Sequence, residues 1–333
     1  MSNIISKFKN NPKWHYALSI CATWAGIGSL MNGVALTQSL GFVPSAIWML
    51  GNVLACIVFG LLATKIPKAR AVFCSKPMMW ICGIMCIFQA WLSLNGVVTV
   101  FEDTPITGTG GKVIAYALAI AFLFILLKFG MIRNVLTDEF GWLVVYLLVA
   151  AVTVGAFMTT GELNSDIVSG IHNADAMKEG IWKAILLLPG PFTYPYFFEI
   201  LNYNENNEDG TAEVFDIKKA FTLGGIMFGV YMLIAFPLAW VQFTPALSIV
   251  KAVLITIIGT STLSSSMYSI YIAFGKKAGF AVNSLLIALW AVLIPLGVMG
   301  MWTLMASVRI YFVGIALAIA IVWSVLSKKN ESV

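Results

Sequence analysis

The chain of 333 residues is 60% hydrophobic and only 11% charged, and its mean hydropathy is +0.91. A soluble domain averages about 25% charged residues, so this composition excludes a water-soluble globular protein. The net charge of +5 is spread over separate short loops, which argues against a nucleic-acid-binding surface. The composition predicts an all-α polytopic membrane protein.

Ten apolar segments are predicted to cross the bilayer as helices, since a span needs about 20 apolar residues. In chain order they are 15–40, 43–63, 77–100, 113–129, 140–160, 181–201, 221–243, 247–274, 280–299 and 302–326. Placing both termini in the cytoplasm puts fifteen of the 20 Lys and Arg residues inside. The positive-inside rule therefore predicts that orientation, in a plasma or bacterial inner membrane.

Two of these segments contain residues that interrupt a helix. Segment 1 has Gly26 and Gly28 near its middle, and segment 6 has Pro189, Pro191 and Pro195. Clustered glycines weaken helical structure and prolines remove its hydrogen-bond donors. Matching breaks in two halves of five segments are typical of an inverted-repeat transporter with its site between the broken helices. The alternative is that the glycines serve close helix packing and the prolines only kink one helix.

The predicted organisation follows from that repeat. It comprises a cytoplasmic N-terminal segment (1–14), a first repeat of five helices (15–160), an extracellular loop (161–180), a second repeat of five helices (181–326) and a cytoplasmic tail (327–333).

Segment 8 carries six hydroxyl groups in the seven residues from Thr260 to Ser266. Sodium accepts neutral hard oxygen ligands. The backbone carbonyl oxygens freed at the first break and the side-chain hydroxyl oxygens of Ser261 and Thr262 would supply such ligands. The cluster therefore predicts an ion site. Alternatively, each hydroxyl bonds a carbonyl of its own helix or of a neighbouring one.

Charged side chains are nearly absent from the predicted spans. None contains an Asp or Glu clear of its ends, and Glu199 lies near the end of segment 6. Since proton-coupled carriers generally use a titratable group at membrane depth, this pattern favours sodium coupling and a neutral or zwitterionic solute. Arg309 lies near the outer end of segment 10 and is interpreted as an interfacial anchor, with an extracellular gate as the alternative.

Polar and aromatic side chains at the breaks and on segment 3 are candidate substrate contacts, because amide and hydroxyl groups in an apolar span need partners. The alternative roles are helix-to-helix hydrogen bonding for the amides and core packing for the aromatic rings. The candidates are Trp24, Ser29, Asn32, Gln89, Asn95, Phe192, Thr193, Tyr194 and Tyr196.

Three short motifs resemble those of the sodium/solute symporter family. The run from Gly190 to Tyr196 looks like its G-x-F-x-x-P stretch, Ser261 to Ser264 looks like its S-T-x-S motif, and the small residues from Ser19 to Gly33 are similar to its first core helix. The resemblance implies the ten-helix leucine-transporter core of the amino acid, polyamine and organocation superfamily. Family members often carry an acidic residue in the first or fifth core helix, and none is expected here.

The same resemblance implies the ligands of a sodium ion. They are the backbone carbonyls of Ala22, Ala25 and Ile258 and the side-chain oxygens of Ser261 and Thr262.

The predicted function is sodium-coupled symport of a small solute, such as an amino acid, by alternating access. The expected partners are that solute, sodium and the lipid bilayer. No catalytic triad, phosphate-binding loop or transition-metal motif is recognised, so no enzyme activity is expected. The alternatives are an uncoupled or proton-coupled amino acid permease of the same fold, or a non-transporting sensor or channel.

Overall fold

The computed structural model describes residues 12–66, 68–102, 104–160, 173–205, 216–240, 245–290 and 298–331. These residues are almost entirely helical and contain no β-strand, so the all-α prediction is confirmed. Two short 3-10 turns, Gly190–Thr193 and Phe236–Trp240, accompany the helices. The helices are α1 (Pro12–Trp24), α2 (Ile27–Leu40), α3 (Phe42–Lys65), α4 (Ala69–Phe73), α5 (Lys76–Glu102), α6 (Thr107–Thr160), α7 (Ala174–Leu187), α8 (Pro195–Glu205), α9 (Ile217–Ala235), α10 (Pro245–Phe274), α11 (Lys276–Trp290) and α12 (Val298–Glu331).

Within the described ranges, six helical stretches are long and apolar enough to cross a membrane, and two bent helix pairs bring the number to as many as eight. Predicted segment 5 corresponds to a shorter apolar stretch, Gly141–Gly155, and predicted segment 9 overlaps the 15-residue helix α11. The arrangement of ten spans as five plus five therefore stays a prediction. The six stretches are Phe42–Lys65, Lys76–Glu102, Gly108–Ile125, Ile217–Ala239, Leu247–Phe274 and Ser307–Ser327.

The interruption predicted for segment 1 is present. Helix α1 ends at Trp24, α2 begins at Ile27, and the two helices are bent by 61°. Gly26 between them has an extended backbone, with φ −66° and ψ 177°. The N–H of Ser29 donates to the Gly26 carbonyl at 2.8 Å, which starts the new helix.

The interruption predicted for segment 6 is also present. Pro189, Pro191 and Pro195 lack N–H donors and cannot continue a regular helix. The chain forms the 3-10 turn Gly190–Thr193 instead, and the helices on either side are bent by 60°. The second half of the segment resumes as α8.

Helix α6 differs from the sequence prediction. Two helices joined by a loop over residues 130–139 were expected, but helical hydrogen bonding runs unbroken for 54 residues. The sequence explains this, because the predicted loop contains one glycine and no proline and so nothing there stops a helix. A straight helix of this length would measure about 81 Å, far more than a bilayer core of about 30 Å.

Close backbone contact joins α3 to α7, the helix that precedes the second break. A β-carbon at Gly51 would lie 2.6 Å from the Cα of Ala184, and one at Gly180 would lie 2.7 Å from the carbonyl oxygen of Pro44. Small residues allow such approach between membrane helices. The chain leading into the second break is therefore held against α3.

A cluster of phenylalanines packs around the second break. The Phe192 ring, in the 3-10 turn, lies 4.9 Å from the ring of Phe59 on α3 and 5.1 Å from that of Phe73 on α4. Phe198 of α8 packs against the same two rings at 5.2 and 5.5 Å. These aromatic contacts fix the position of the break relative to α3 and α4.

Candidate functional site between the helix breaks

The two helix breaks touch each other. Gly190 of the second break lies so close to the Trp24 indole that a β-carbon there would overlap the ring. Tyr194, at the end of the same break, packs edge-on against Trp24 with ring centroids 6.1 Å apart. The prediction that the breaks are adjacent is therefore confirmed.

A small cavity of about 30 Å³ lies where the breaks meet. Its wall combines the end of α1 and the start of α2 with side chains from α3, α5 and α12. Four of the predicted substrate residues line it. The complete lining is Trp24, Gly26, Gly28, Ser29, Asn52, Gln89, Leu187, Tyr194 and Arg309.

The other predicted substrate residues lie outside that lining. Asn95 accepts a hydrogen bond from the Trp290 indole N–H at 2.8 Å. Thr193 donates to the carbonyl oxygen of Gly190 at 2.7 Å. Phe192 belongs to the phenylalanine cluster, and Asn32 is buried on α2. The contacts of Asn95 and Phe192 correspond to the alternative roles of helix-to-helix hydrogen bonding and core packing.

Arg309 is buried in the cavity wall, which differs from the interfacial position expected from the sequence. Only 6% of the residue is exposed, and its guanidinium carbon lies 5.8 Å from the centre of the Tyr194 ring. Such a position allows a cation–π interaction. The burial of Arg309 could not be predicted from the sequence of segment 10, because the burial depends on how α12 packs against both breaks.

Asp138 is, after Arg309, a second buried charged residue that was not predicted from the sequence. It lies in the predicted loop between segments 4 and 5, yet it is only 2% exposed. It accepts hydrogen bonds from the hydroxyls of Ser19 on α1 and Ser261 on α10, each at 2.7 Å. The expectation that no carboxylate is buried among the helices is therefore wrong. The missed signal was the absence of a helix-stopping residue from Lys128 to Asp138.

The hydroxyl network around Asp138 extends to α8, the helix that follows the second break. The Ser19 hydroxyl is also 2.7 Å from the phenol oxygen of Tyr196, which follows the second break. Thr23 and Ser265 add another hydroxyl pair between α1 and α10, at 2.8 Å. We call Asp138, Ser19, Ser261 and Tyr196 the Asp138 cluster; it connects α1, α6, α8 and α10.

Of the residues implied as sodium ligands, Ser261 belongs to this cluster, and the others are buried. Ala22 and Ala25 are fully buried near the end of α1, and Ile258 is fully buried on α10. A β-carbon at Gly26 would be 2.5 Å from Thr262 Oγ1, so Thr262 faces the first break. Thr262 Oγ1 also donates to the Ile258 carbonyl at 3.4 Å. Of the side chains on α1 and α10, those of Ser19 and Ser261 contact the Asp138 carboxylate, while Thr262 faces the first break.

The described part of the chain contains no group of three or more His, Cys, Asp or Glu side chains placed to hold a metal ion. Ser19 and Ser261 hydrogen-bond the Asp138 carboxylate through hydroxyl groups. Hydroxyl and carboxylate oxygens are hard ligands, and such ligands suit hard cations better than soft ones.

No family model and no curated protein matches the chain. Among solved structures, it is similar to two crystal structures of the manganese transporter of Eremococcus coleocola, one of a mutant and one in complex with an aromatic bis-isothiourea-substituted compound. The identities are 13% and 12%, the TM-scores 0.44 and 0.43, and each match covers 96% of this chain and 72% of the other. At this level of likeness the resemblance assigns no function to the chain.

Proposed function

We propose that the protein is a cation-coupled secondary transporter that carries a small solute by alternating access. The observation that supports this most is the contact of two broken helices around a polar cavity, next to a buried carboxylate. Broken helices expose backbone polar groups, which membrane proteins tolerate where they line a cavity or bind a ligand. Neither a channel nor a sensor requires two broken helices in contact.

The cation site of this proposal is the Asp138 cluster together with Thr262. A cation bound there would attract oxygens from α1 and α10 at once and hold the first break against α10. Loss of the cation would weaken that attachment and favour opening. An ion shifts a conformational equilibrium only through different affinities for the two states, and a site that spans two helices supplies such a difference.

Sodium is the proposed coupling ion, because hydroxyl and carbonyl oxygens are suitable ligands. A proton is the second candidate, and the burial of Asp138 is the observation that favours it, since proton-coupled carriers use titratable groups of this kind. An uncoupled permease would not need the cluster at all.

A thermal-shift measurement on the purified full-length protein distinguishes these cases. Sodium should raise the melting temperature relative to potassium or choline at equal ionic strength, because binding to the folded state stabilises it by mass action. The Ser261→Ala, Thr262→Ala double variant should need roughly 30-fold more sodium, since it loses two polar contacts and each contributes about 1 kcal/mol.

The matched control removes a Thr and a Ser whose hydroxyls only bond their own helix. These are Thr256, which donates to the Ala252 carbonyl, and Ser284, which donates to the Phe280 carbonyl. Their double alanine variant should keep the wild-type sodium response. Stabilisation that depends on pH and not on sodium would favour the proton instead, and no response to either would favour the uncoupled permease.

We further propose that both termini face the cytoplasm of a plasma or bacterial inner membrane. The exposed Lys276 at the start of α11 then lies inside, and Lys178 on α7, with 79% of its side chain exposed, lies outside. In intact cells a membrane-impermeant thiol reagent should label Lys178→Cys and leave Lys276→Cys unlabelled. Labelling of Lys276→Cys alone would reverse the orientation.

A further inference from the structure

Arg309 carries a buried positive charge with no acidic side chain among the described residues close enough to form an ion pair. Its Nε is buried and, within the described part of the chain, has no hydrogen-bond partner. Burying an unpaired charge is costly. An anion that entered the cavity beside Arg309 would complete an ion pair and offset this cost.

A second donor in the same wall also has no partner. Trp24 is only 7% exposed, and its indole Nε1 is buried without a hydrogen-bond acceptor among the residues described. The cavity also contacts Gly26 and Gly28 at the start of α2. The beginning of a 14-residue helix carries partial positive charge and has N–H groups that lack acceptors within the helix.

We propose that this cavity binds the carboxylate of a small monocarboxylate solute, with Arg309 as the residue that recognises its charge. An arginine pairs with a carboxylate through two parallel hydrogen bonds. Trp24 Nε1 and the start of α2 supply further donors to the same group. This inference rests on the proposed transport function, because it identifies the substrate class of that site.

The wall favours an anion over a zwitterion. Its polar side chains other than Arg309 are neutral: Ser29, Asn52, Gln89, Trp24 and Tyr194. The described lining therefore offers no carboxylate to pair with an ammonium group, and the charge of Arg309 repels one. This changes the solute class expected from the sequence, which was neutral or zwitterionic. Co-transport of one monovalent cation at the Asp138 cluster would make the movement of a monocarboxylate electroneutral.

The size of the cavity gives a second constraint. A volume of about 30 Å³ holds about one water molecule, so the site has to widen when the solute enters. A solute with a short carbon chain needs the smallest rearrangement. Acetate, propionate and lactate are therefore suitable probes, with their amides as uncharged controls of the same shape and with glycine and alanine as zwitterions.

Binding is measured by thermal shift and by calorimetry on the purified full-length protein in detergent, with sodium present and ionic strength fixed. At least one of the three carboxylates should bind, its amide should bind about tenfold more weakly or not at all, and the amino acids should bind more weakly than the carboxylate. Binding of amides as tight as that of carboxylates would overturn the proposal. So would a preference for glycine or alanine, or the absence of any binding by the three carboxylates.

Arg309→Gln should weaken carboxylate binding about 30-fold or more, because it removes one partner of a buried charge pair. Arg309→Lys keeps the charge but not the planar donor pair, so its affinity should fall between those of the wild type and Arg309→Gln. Trp24→Phe, which keeps an aromatic ring and loses the indole donor, should weaken binding severalfold. Arg70→Gln, on α4 and outside the cavity lining, is the matched control and should bind as the wild type does.

Size-exclusion chromatography establishes that each variant is folded, and Trp24→Phe and Arg309→Lys keep the test informative if Arg309→Gln does not fold. Unchanged carboxylate affinity in folded Arg309→Lys and Trp24→Phe would contradict the proposal. Because the assay measures binding and not flux, it can fail independently of the transport function. Carboxylate binding that depends on Arg309 but is not accompanied by transport would refute the proposed transport function and not this inference. Transport of a solute whose binding does not depend on Arg309 would refute this inference and not the transport function.

Discussion

The Asp138→Asn variant is expected to fold and to lose the cation-dependent stabilisation of the wild type. Asparagine has nearly the shape of aspartate, and its amide can hydrogen-bond both Ser19 and Ser261, whose hydroxyls lie 2.7 Å from the carboxylate in the wild type. The negative charge that attracts a cation is gone. The cation concentration that gives half of the maximal shift in melting temperature should rise at least about tenfold, since hydrogen bonds to charged groups contribute about 1.5–3 kcal/mol.

Asp138→Ala is expected to be destabilising as well. It removes the acceptor of two buried hydroxyls, and a buried donor left without a partner costs about 1–3 kcal/mol. The matched control is Asp175→Asn at the start of α7, where the aspartate side chain is 92% exposed and pairs loosely with Lys178 at 3.4 Å. Exposed pairs of this kind contribute little, so the control should behave as the wild type. A full cation response in Asp138→Asn would remove the cluster from the coupling mechanism.

Gly190→Ala is expected to separate the two helix breaks. The added methyl group would overlap the Trp24 indole, and this ring is buried and packed against Tyr194. Overpacking a buried contact typically costs about 1–3 kcal/mol, so the melting temperature should fall and binding of any solute at the cavity should weaken. Both quantities are obtained from one thermal-shift titration.

Gly314→Ala is the matched control, because a β-carbon at Gly314 in α12 meets nothing within 4 Å. Alanine favours a helix more than glycine does, so this variant should be as stable as the wild type or slightly more so. Combining Gly190→Ala with Trp24→Phe should restore part of the lost stability, because the smaller Phe ring leaves room for the methyl group. The effects of the two substitutions are then not additive, as is usual for residues in contact. If Gly190→Ala matches Gly314→Ala, the breaks are not in contact.

The helix breaks were predictable because their causes are local. Proline removes a donor wherever it stands, so Pro189, Pro191 and Pro195 predict the second break without any knowledge of neighbouring helices. The same local reasoning located the first break at Gly26. The contact between the breaks followed from their matching positions in the two halves of the chain.

Burial of Asp138 and Arg309 was not predictable in the same way. Each residue lies near a predicted segment end, where charged side chains normally face water or lipid headgroups. Their burial depends on how α6 continues through the expected loop and on how α12 packs against Trp24 and Tyr194. The lack of a helix-stopping residue before Asp138 indicates that α6 continues, but it does not indicate which side chains the packing of α6 and α12 buries. The two charges that define the proposed mechanism are therefore visible only in the fold.

Counterflow in proteoliposomes tests the central claim, that the chain is an alternating-access carrier. Vesicles containing the wild-type protein are loaded with an excess of the monocarboxylate that stabilises it most and are diluted into a trace of the same solute in labelled form. On the inner side a carrier binds mostly unlabelled solute and carries it out, so labelled solute that has entered is retained. Labelled solute should therefore accumulate transiently above its external concentration in vesicles with the wild-type protein or Gly314→Ala. Protein-free vesicles should show no such accumulation. Labelled solute that only equilibrates would indicate a channel, and the absence of protein-dependent flux would indicate a non-transporting protein; either result would contradict the account.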